Sequence, residues 1–166
     1  MRSSQVAGPH RRTVRPPSRH DMHLRVTLSA RRSSGSPAAD ISTVELDRLM
    51  AAVCATLGVE RIQVTTIGAI PLANIVQHVR TAACLAPTVG VEADGVDLGS
   101  AMPDLRRADA ERIVVGPDAG GRIALTCQGR LHAGPADSRG TDLVPMLRAG
   151  DFVSLDAAIR STAASA

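Results

Sequence analysis

Five histidines, three cysteines and a scatter of acids are the side chains in this sequence able to carry acid–base, nucleophilic or metal chemistry. His10, His20 and His23 fall in an Arg-, Ser- and Pro-rich opening stretch that offers nothing to hold a ring in catalytic geometry. His78 stands between Val76 and Val79 with no acid beside it in the chain. His132 precedes Asp137 and Ser138, so a Ser138–His132–Asp137 set is available by number. A catalytic triad needs its nucleophile on a rigid turn and an oxyanion pocket beside it. Three members within one Gly-, Pro- and Ser-containing loop supply neither, so the segment reads as a solvated loop and the chain as a non-enzyme.

The remaining chemistry-bearing types read the same way. Cys54, Cys84 and Cys127 form no CxxC pair and sit in apolar phrases (AAVCATL, TAACLAP, ALTCQG). They read as small buried hydrophobes in a reducing compartment, not as zinc ligands or a redox dithiol. Cys84 has no base or cation beside it in the chain to activate it. Glu92, Asp94 and Asp97 crowd one segment around Gly95 but lack the alternating order and closing Glu of a calcium loop. Gly116-Pro117-Asp118-Ala119-Gly120-Gly121 is not followed by Lys-Ser/Thr, so it reads as a turn and not a phosphate cradle. No metal, cofactor or small-molecule substrate is expected.

The elements that position these residues show in the hydrophobic periodicity. Ser42-Thr43-Val44-Glu45 fits a capping box, apolar residues follow at Leu46, Leu49, Met50, Val53 and Leu57, and Gly58 can close the helix in a left-handed conformation. The spacing predicts a helix over 43–57. Arg61–Ile67 alternates and is β-branched, which predicts a strand. Residues 69–72 read as its extended continuation, and 73–79 fits either a strand or a short helix. Thr88–Val91 and Gly95–Leu98 read as short strands around an Asp94-Gly95 turn. Arg112–Val115 and Arg122–Cys127 read as the arms of a hairpin. Residues 142–147 and 151–154 read as strands before a short terminal helix opening at Leu155. With helices at the two ends and no helix–strand alternation, the reading is a mainly β fold with flanking helices, made of small five-stranded barrels, and a parallel βαβ sheet is not expected.

Composition divides the chain. Apolar residues make up 44% of it but aromatics only 1%, so the core must be built from aliphatic side chains. Every basic charge is Arg, and the abundance of Ala, Arg and Gly marks a GC-rich coding bias of the kind also met in spurious reading frames. The first forty residues carry eight Arg against Asp21 and Asp40, whereas the remainder carries 11 Arg and 14 acids. Residues 1–40 therefore read as a disordered tail and 41–166 as the folded domain. Arg11, Arg12, Arg15 and Arg19 form the tail's electrostatic face, suited to nucleic acid or anionic lipid. The alternatives are a solvated leader, or an overextended start with Met22 as initiator. Within the tail, His23–Leu28 alternates and reads as a candidate edge strand. No secretory or membrane-spanning segment is legible, so the cytoplasm is the expected compartment.

One family resemblance runs through residues 60–160. Gly68-Ala69-Ile70-Pro71-Leu72 followed by the Val/Ile-rich 73–80, the Leu85-Ala86-Pro87 turn, the Asp94-Gly95 turn, Asp104-Leu105-Arg106-Arg107, the 112–125 phrases and the closing 143–159 segment occur in the order found in CheW-like domains. The chain resembles that chemotaxis coupling family. The resemblance implies two five-stranded barrels, no active site, and an adaptor role between a receptor and a histidine kinase. It places an adaptor surface at Asp94, Gly95, Asp104 and Leu105, and it implies that Ile70, Leu72, Val114 and Leu125 are buried along an apolar seam. The family's turn before the "DL" segment usually holds Asn and Arg, whereas Ala93 and Asp94 stand there in this chain. The helix at 43–57 precedes the family pattern.

Overall fold

The computed structural model describes residues 22–30, 41–100, 103, 112–116 and 123–166. The tail arginines Arg11, Arg12, Arg15 and Arg19 and the adaptor residues Asp104 and Leu105 lie outside the described residues.

The capping box is present as read from the sequence. The Ser42 hydroxyl accepts from the Glu45 amide at 3.1 Å, and the Glu45 carboxylate accepts from the Ser42 amide at 2.8 Å. Helix α1 runs Thr43–Leu57 and ends on Gly58 at φ +65°, a left-handed position that favours glycine. Leu46, Leu49, Met50, Val53 and Cys54 form its buried stripe. Strand β2 (Arg61–Ile67) and strand β3 (Thr88–Glu92) also fall where the pattern put them.

Between them lies helix α2, Leu72–Leu85, where the phrases had allowed extended backbone up to Leu72. Its buried residues Ile75, His78, Val79 and Ala82 fall at helical spacing. Pro71 sits just outside the first turn, where its missing amide costs nothing. Strand β1 is His23–Ser29. Far from being an edge, it is the centre of the sheet, pairing in parallel with β2 on one side and with β5 (Ile123–Thr126) on the other. A strand that the reading assigned to the tail is thus part of the core, with Leu24, Val26 and Leu28 all buried.

The sheet has seven strands in the order β4-β3-β2-β1-β5-β6-β7, with β4 at Arg112–Val115, β6 at Arg130–His132 and β7 at Thr141–Asp142. The first five in that order run parallel; β6 and β7 add antiparallel pairs at one end. β1-α1-β2 and β2-α2-β3 are therefore βαβ units, the architecture the sequence reading had set aside. The sheet is open, with β4 and β7 as its edges among the described residues. The expected 112–127 hairpin does not form, because β4 pairs with β3 and β5 with β1, three strands away. Residues 144–149 and 152–164 are helices α3 and α4, not strands, and the strand expected over 95–98 does not form: Gly95 is in a turn and the chain is helical from Leu98. Among the described residues, these helices of 6 to 15 residues accompany strands of two to seven, so the fold is a mixed sheet with flanking helices and not mainly β.

α1 touches α2, α3 and α4, so these four helices form one layer. That layer covers the sheet face bearing Leu24, Val26, Ile62, Val64, Val89, Val91, Ile123 and Leu125. The opposite face carries Arg25, Thr27, Arg61, Gln63 and Thr65. There the Gln63 amide donates to the Gly116 carbonyl at 3.1 Å, and Gln63 lies so close over Gly90 that a Cβ at that position would collide with it. The core is aliphatic, as composition required, and Phe152, the single aromatic, is 67% exposed. Of the four residues expected along a barrel seam, Leu125 is buried and Ile70 half-buried, but Leu72 and Val114 are exposed.

Candidate functional site

His78 supplies the clearest chemical group in the fold. The helical period of α2 puts it on the buried face between Ile75 and Ala82, pressed toward α1. Asp47 flanks the apolar stripe of α1 and meets it there, with His78 Nδ1 and Asp47 Oδ1 2.7 Å apart. The two side chains are 5% and 17% exposed. The Gln77 amide donates to the second Asp47 oxygen at 3.5 Å. Facing a carboxylate, Nδ1 carries the proton and fixes the tautomer, which leaves Nε2 free to engage a ligand. Among the described residues Nε2 has no hydrogen-bond partner. The acid that the sequence did not show beside His78 lies 31 residues earlier, on a different helix.

His78 lines a crevice at the carboxyl ends of the central strands. Its walls are Leu28 and Ser29 at the end of β1, Ile41 to Thr43 and Leu46 at the head of α1, Ile70 and Asn74 at the head of α2, and Cys127 after β5, around a cavity of about 130 Å³. The position has a topological cause. β1 and β5 are parallel neighbours whose connections leave in opposite directions, one through α1 to β2 and the other through a turn to β6. In open α/β sheets a crevice opens at such a divergence, outside the carboxyl ends of the strands. Cys127 is half-buried in the wall, its thiol 4.0 Å from the Ser29 carbonyl. Cys54 is buried as expected, and desolvation pushes its thiol up to about 12, which makes it inert. Cys84, read as buried, is exposed.

The head of α1 is held rigidly. Arg148 on α3 donates to Glu45 at 2.7 Å, and together with the Ser42 amide it holds the Glu45 carboxyl down at about 2, against an ordinary 4.5.

The other candidates do not converge on this crevice. Asp94 and Gly95 form a turn after β3, with the Asp94 amide donating to Thr66 Oγ1 at 3.0 Å and Gly95 at φ +70°. The loop expected over 129–140 opens with strand β6, and in the segment after it Asp137 spends its carboxylate on the backbone. It accepts from the Ala133 amide at 3.1 Å, the Arg139 amide at 3.2 Å and the Gly140 amide at 2.9 Å, and its carboxyl is held below the ordinary value chiefly by the Gly140 and Ala133 bonds. His132 Nδ1 faces the Asp137 main-chain carbonyl at 2.8 Å, not its carboxylate. His132 and Asp137 therefore build a backbone clasp, and the Asp137 carboxylate is not presented to the ring as a triad would need. Among the described residues no group of three His, Cys, Asp or Glu side chains is arranged to hold a metal ion, and no helix is long and apolar enough to cross a membrane. A larger hollow of about 740 Å³ along Leu72, Val76, Gln77 and Arg80 is walled by α2 alone among the described residues and gathers no converging groups.

Among the described residues, a mixed, largely parallel sheet with flanking helices carries a histidine–aspartate pair beside a crevice at the carboxyl ends of its central strands. Compared with known proteins, the chain matches no family model and no curated protein.

Proposed function

We propose that this chain is a non-catalytic binding domain for a small polar ligand held in the crevice between the heads of α1 and α2. One observation carries the reading: a buried imidazole, oriented by Asp47, has its second nitrogen unpaired at a cavity flanked by Thr43, Asn74 and apolar walls. Small-ligand sites are concave and mostly apolar with a few placed polar groups. The parts of a nucleophile–base site are incomplete: Cys127 shares the cavity, but no hydrogen bond joins it to His78. At about 130 Å³ the cavity admits a group of few heavy atoms, or the polar head of a larger molecule.

The test is an amide and imidazole NMR screen of small acids, amides, sugars and phosphates against the protein. Hits are expected to move Thr43, Asn74 and His78 together, and Asn74→Phe at the exposed rim is expected to abolish them. A screen in which no compound moves these residues removes the reading.

A second reading, the signalling adaptor implied by the CheW-like resemblance, is favoured by edge strand β4. There Val114 and Val115 are 45% and 49% exposed, on a strand that pairs only with β3 among the described residues. An apolar edge of this kind accepts a partner's strand. This reading rests on edge pairing and does not require the closed five-stranded barrels of that family. Val115→Asp is expected to abolish capture of a receptor signalling segment or histidine kinase domain, and retained capture would remove it.

A further inference from the structure

We propose, resting on the crevice as the ligand site, that its ligand presents an anionic oxygen group, a carboxylate or a phosphate-type oxyanion, to protonated His78 and the first-turn amides of α1. Two independent observations converge on this class. The first is the ring itself. It is nine-tenths buried, its Nδ1 is taken by Asp47, and its Nε2 lacks a partner among the described residues at the cavity wall. The second is the head of α1. Ser42 caps the Glu45 amide, but the Thr43 and Val44 amides belong to the first-turn groups that a helix leaves without an internal acceptor. Helix α2 also begins at this crevice, without any side-chain cap. Its first-turn amides add to the positive end of the helix dipole there.

The donor balance selects the ligand. Thr43 N–H, the Asn74 side-chain amide and, once protonated, His78 Nε2–H are donors. Thr43 and Asn74 each carry an acceptor oxygen as well, but the other side-chain acceptors named here are engaged. The Ser42 hydroxyl accepts from the Glu45 amide, the Asp47 carboxylate faces His78 and Gln77, and the Cys127 thiol lies against the Ser29 carbonyl. A site with donors to spare takes a ligand rich in acceptors. The charged and titratable groups around the ring are compatible with an anion. Asp47 on α1 is the imidazolium's own counter-charge, Glu45 on the same helix is held by Arg148 of α3, and Cys127 after β5 is a thiol. The oxyanion would meet the ring on its far edge from Asp47, so the three charges would alternate in sign.

The experiment titrates the full chain with sulfate, acetate and a neutral amide of similar size, following the imidazole nitrogens of His78 and the Thr43 amide by NMR between about pH 5 and 8. Sulfate and acetate keep their charge over most of that range, so the pH dependence belongs to the protein. Saturable shifts of His78 Nε2 and Thr43 are expected with one or both anions. Their affinity should weaken by up to about tenfold per pH unit once the imidazole loses its proton, and Asn74→Phe should abolish the shifts. A sulfate response without acetate assigns a phosphate-type oxyanion, and the converse assigns a carboxylate. The inference is overturned if the amide moves these residues and the anions do not, or if anion affinity is flat across the His78 titration; in both cases the crevice survives as a ligand site. Silence from all three probes, together with a blank screen, sinks the site as well.

Discussion

Two histidines in this protein each meet an aspartate, and they end in opposite conditions. His132, at the end of β6, has its acid five residues away in the loop that follows; His78 has its acid 31 residues away on another helix. In the loop, proximity along the chain is what disarms the pair. A loop must satisfy its own backbone amides, and the Asp137 carboxylate is the acceptor within reach, so three amides occupy it and the ring is left with a main-chain carbonyl. Beyond the first turns of α1 and α2 the backbone amides are already bonded within the helices. The Asp47 carboxylate is therefore left for side chains, and it orients His78 toward the crevice. Closeness in sequence marks turn chemistry, whereas closeness across packed elements marks a site.

The comparison breaks most visibly at the helix pair. His78→Ala opens a cavity between α1 and α2 and strips Asp47 of its hydrogen-bond partner, with an expected loss of about 2–4 kcal/mol in urea unfolding. A loss no larger than that of a surface substitution would show that the pair does not tie the helices. In the loop the geometry resists change more than the imidazole does. Gly140 sits at φ +62° with the His132 ring where a Cβ would go, so Gly140→Ala is expected to cost more than about 1 kcal/mol. His132→Gln, which removes one bond to a carbonyl, should cost less than about 1 kcal/mol. Reversal of that order would mean that the ring, and not the backbone clasp, organises the loop.

The acid limb of the stability profile gives the smallest effect and sharpens the contrast. Glu45 has its folded pKa depressed, so its contribution is complete above 4.5 and is lost as pH falls toward about 2. Asp137 is also depressed, and its contribution is complete above 3.8 and fades below it. Glu45→Gln and Asp137→Asn should each flatten the fall in melting temperature on acidification. Glu45→Gln should act from the higher pH and should loosen the Thr43 amide at the crevice, whereas Asp137→Asn should leave that amide unmoved. A Thr43 response to Asp137→Asn would join two regions that the structure keeps apart.

Local code was legible where local physics decides. The capping box, the stripe of α1, the Gly58 stop and the alternation of β2 needed no partner to be read, and each stands where the pattern put it. β1 was misassigned because its alternation suits an edge strand. It alternates at the sheet's centre because helices cover one face and leave the other polar, a condition that the strand itself cannot announce. The hairpin over 112–127 failed for a related reason. Two strands close in sequence usually pair, but here β3 and β1 offer parallel edges that take one each. Asp94 and Gly95 stand in the turn that the sequence reading put there.

What the sequence determined unaided is an aliphatic core, a well-capped helix and strands of the right local pattern, because those depend on residues within one or two turns of each other. Only the tertiary structure decided that the strands lie parallel in an open sheet and that Asp47 meets His78. Both follow from which faces are left to be buried once every element has formed. That choice is made between residues tens of positions apart, where spacing along the chain carries no information.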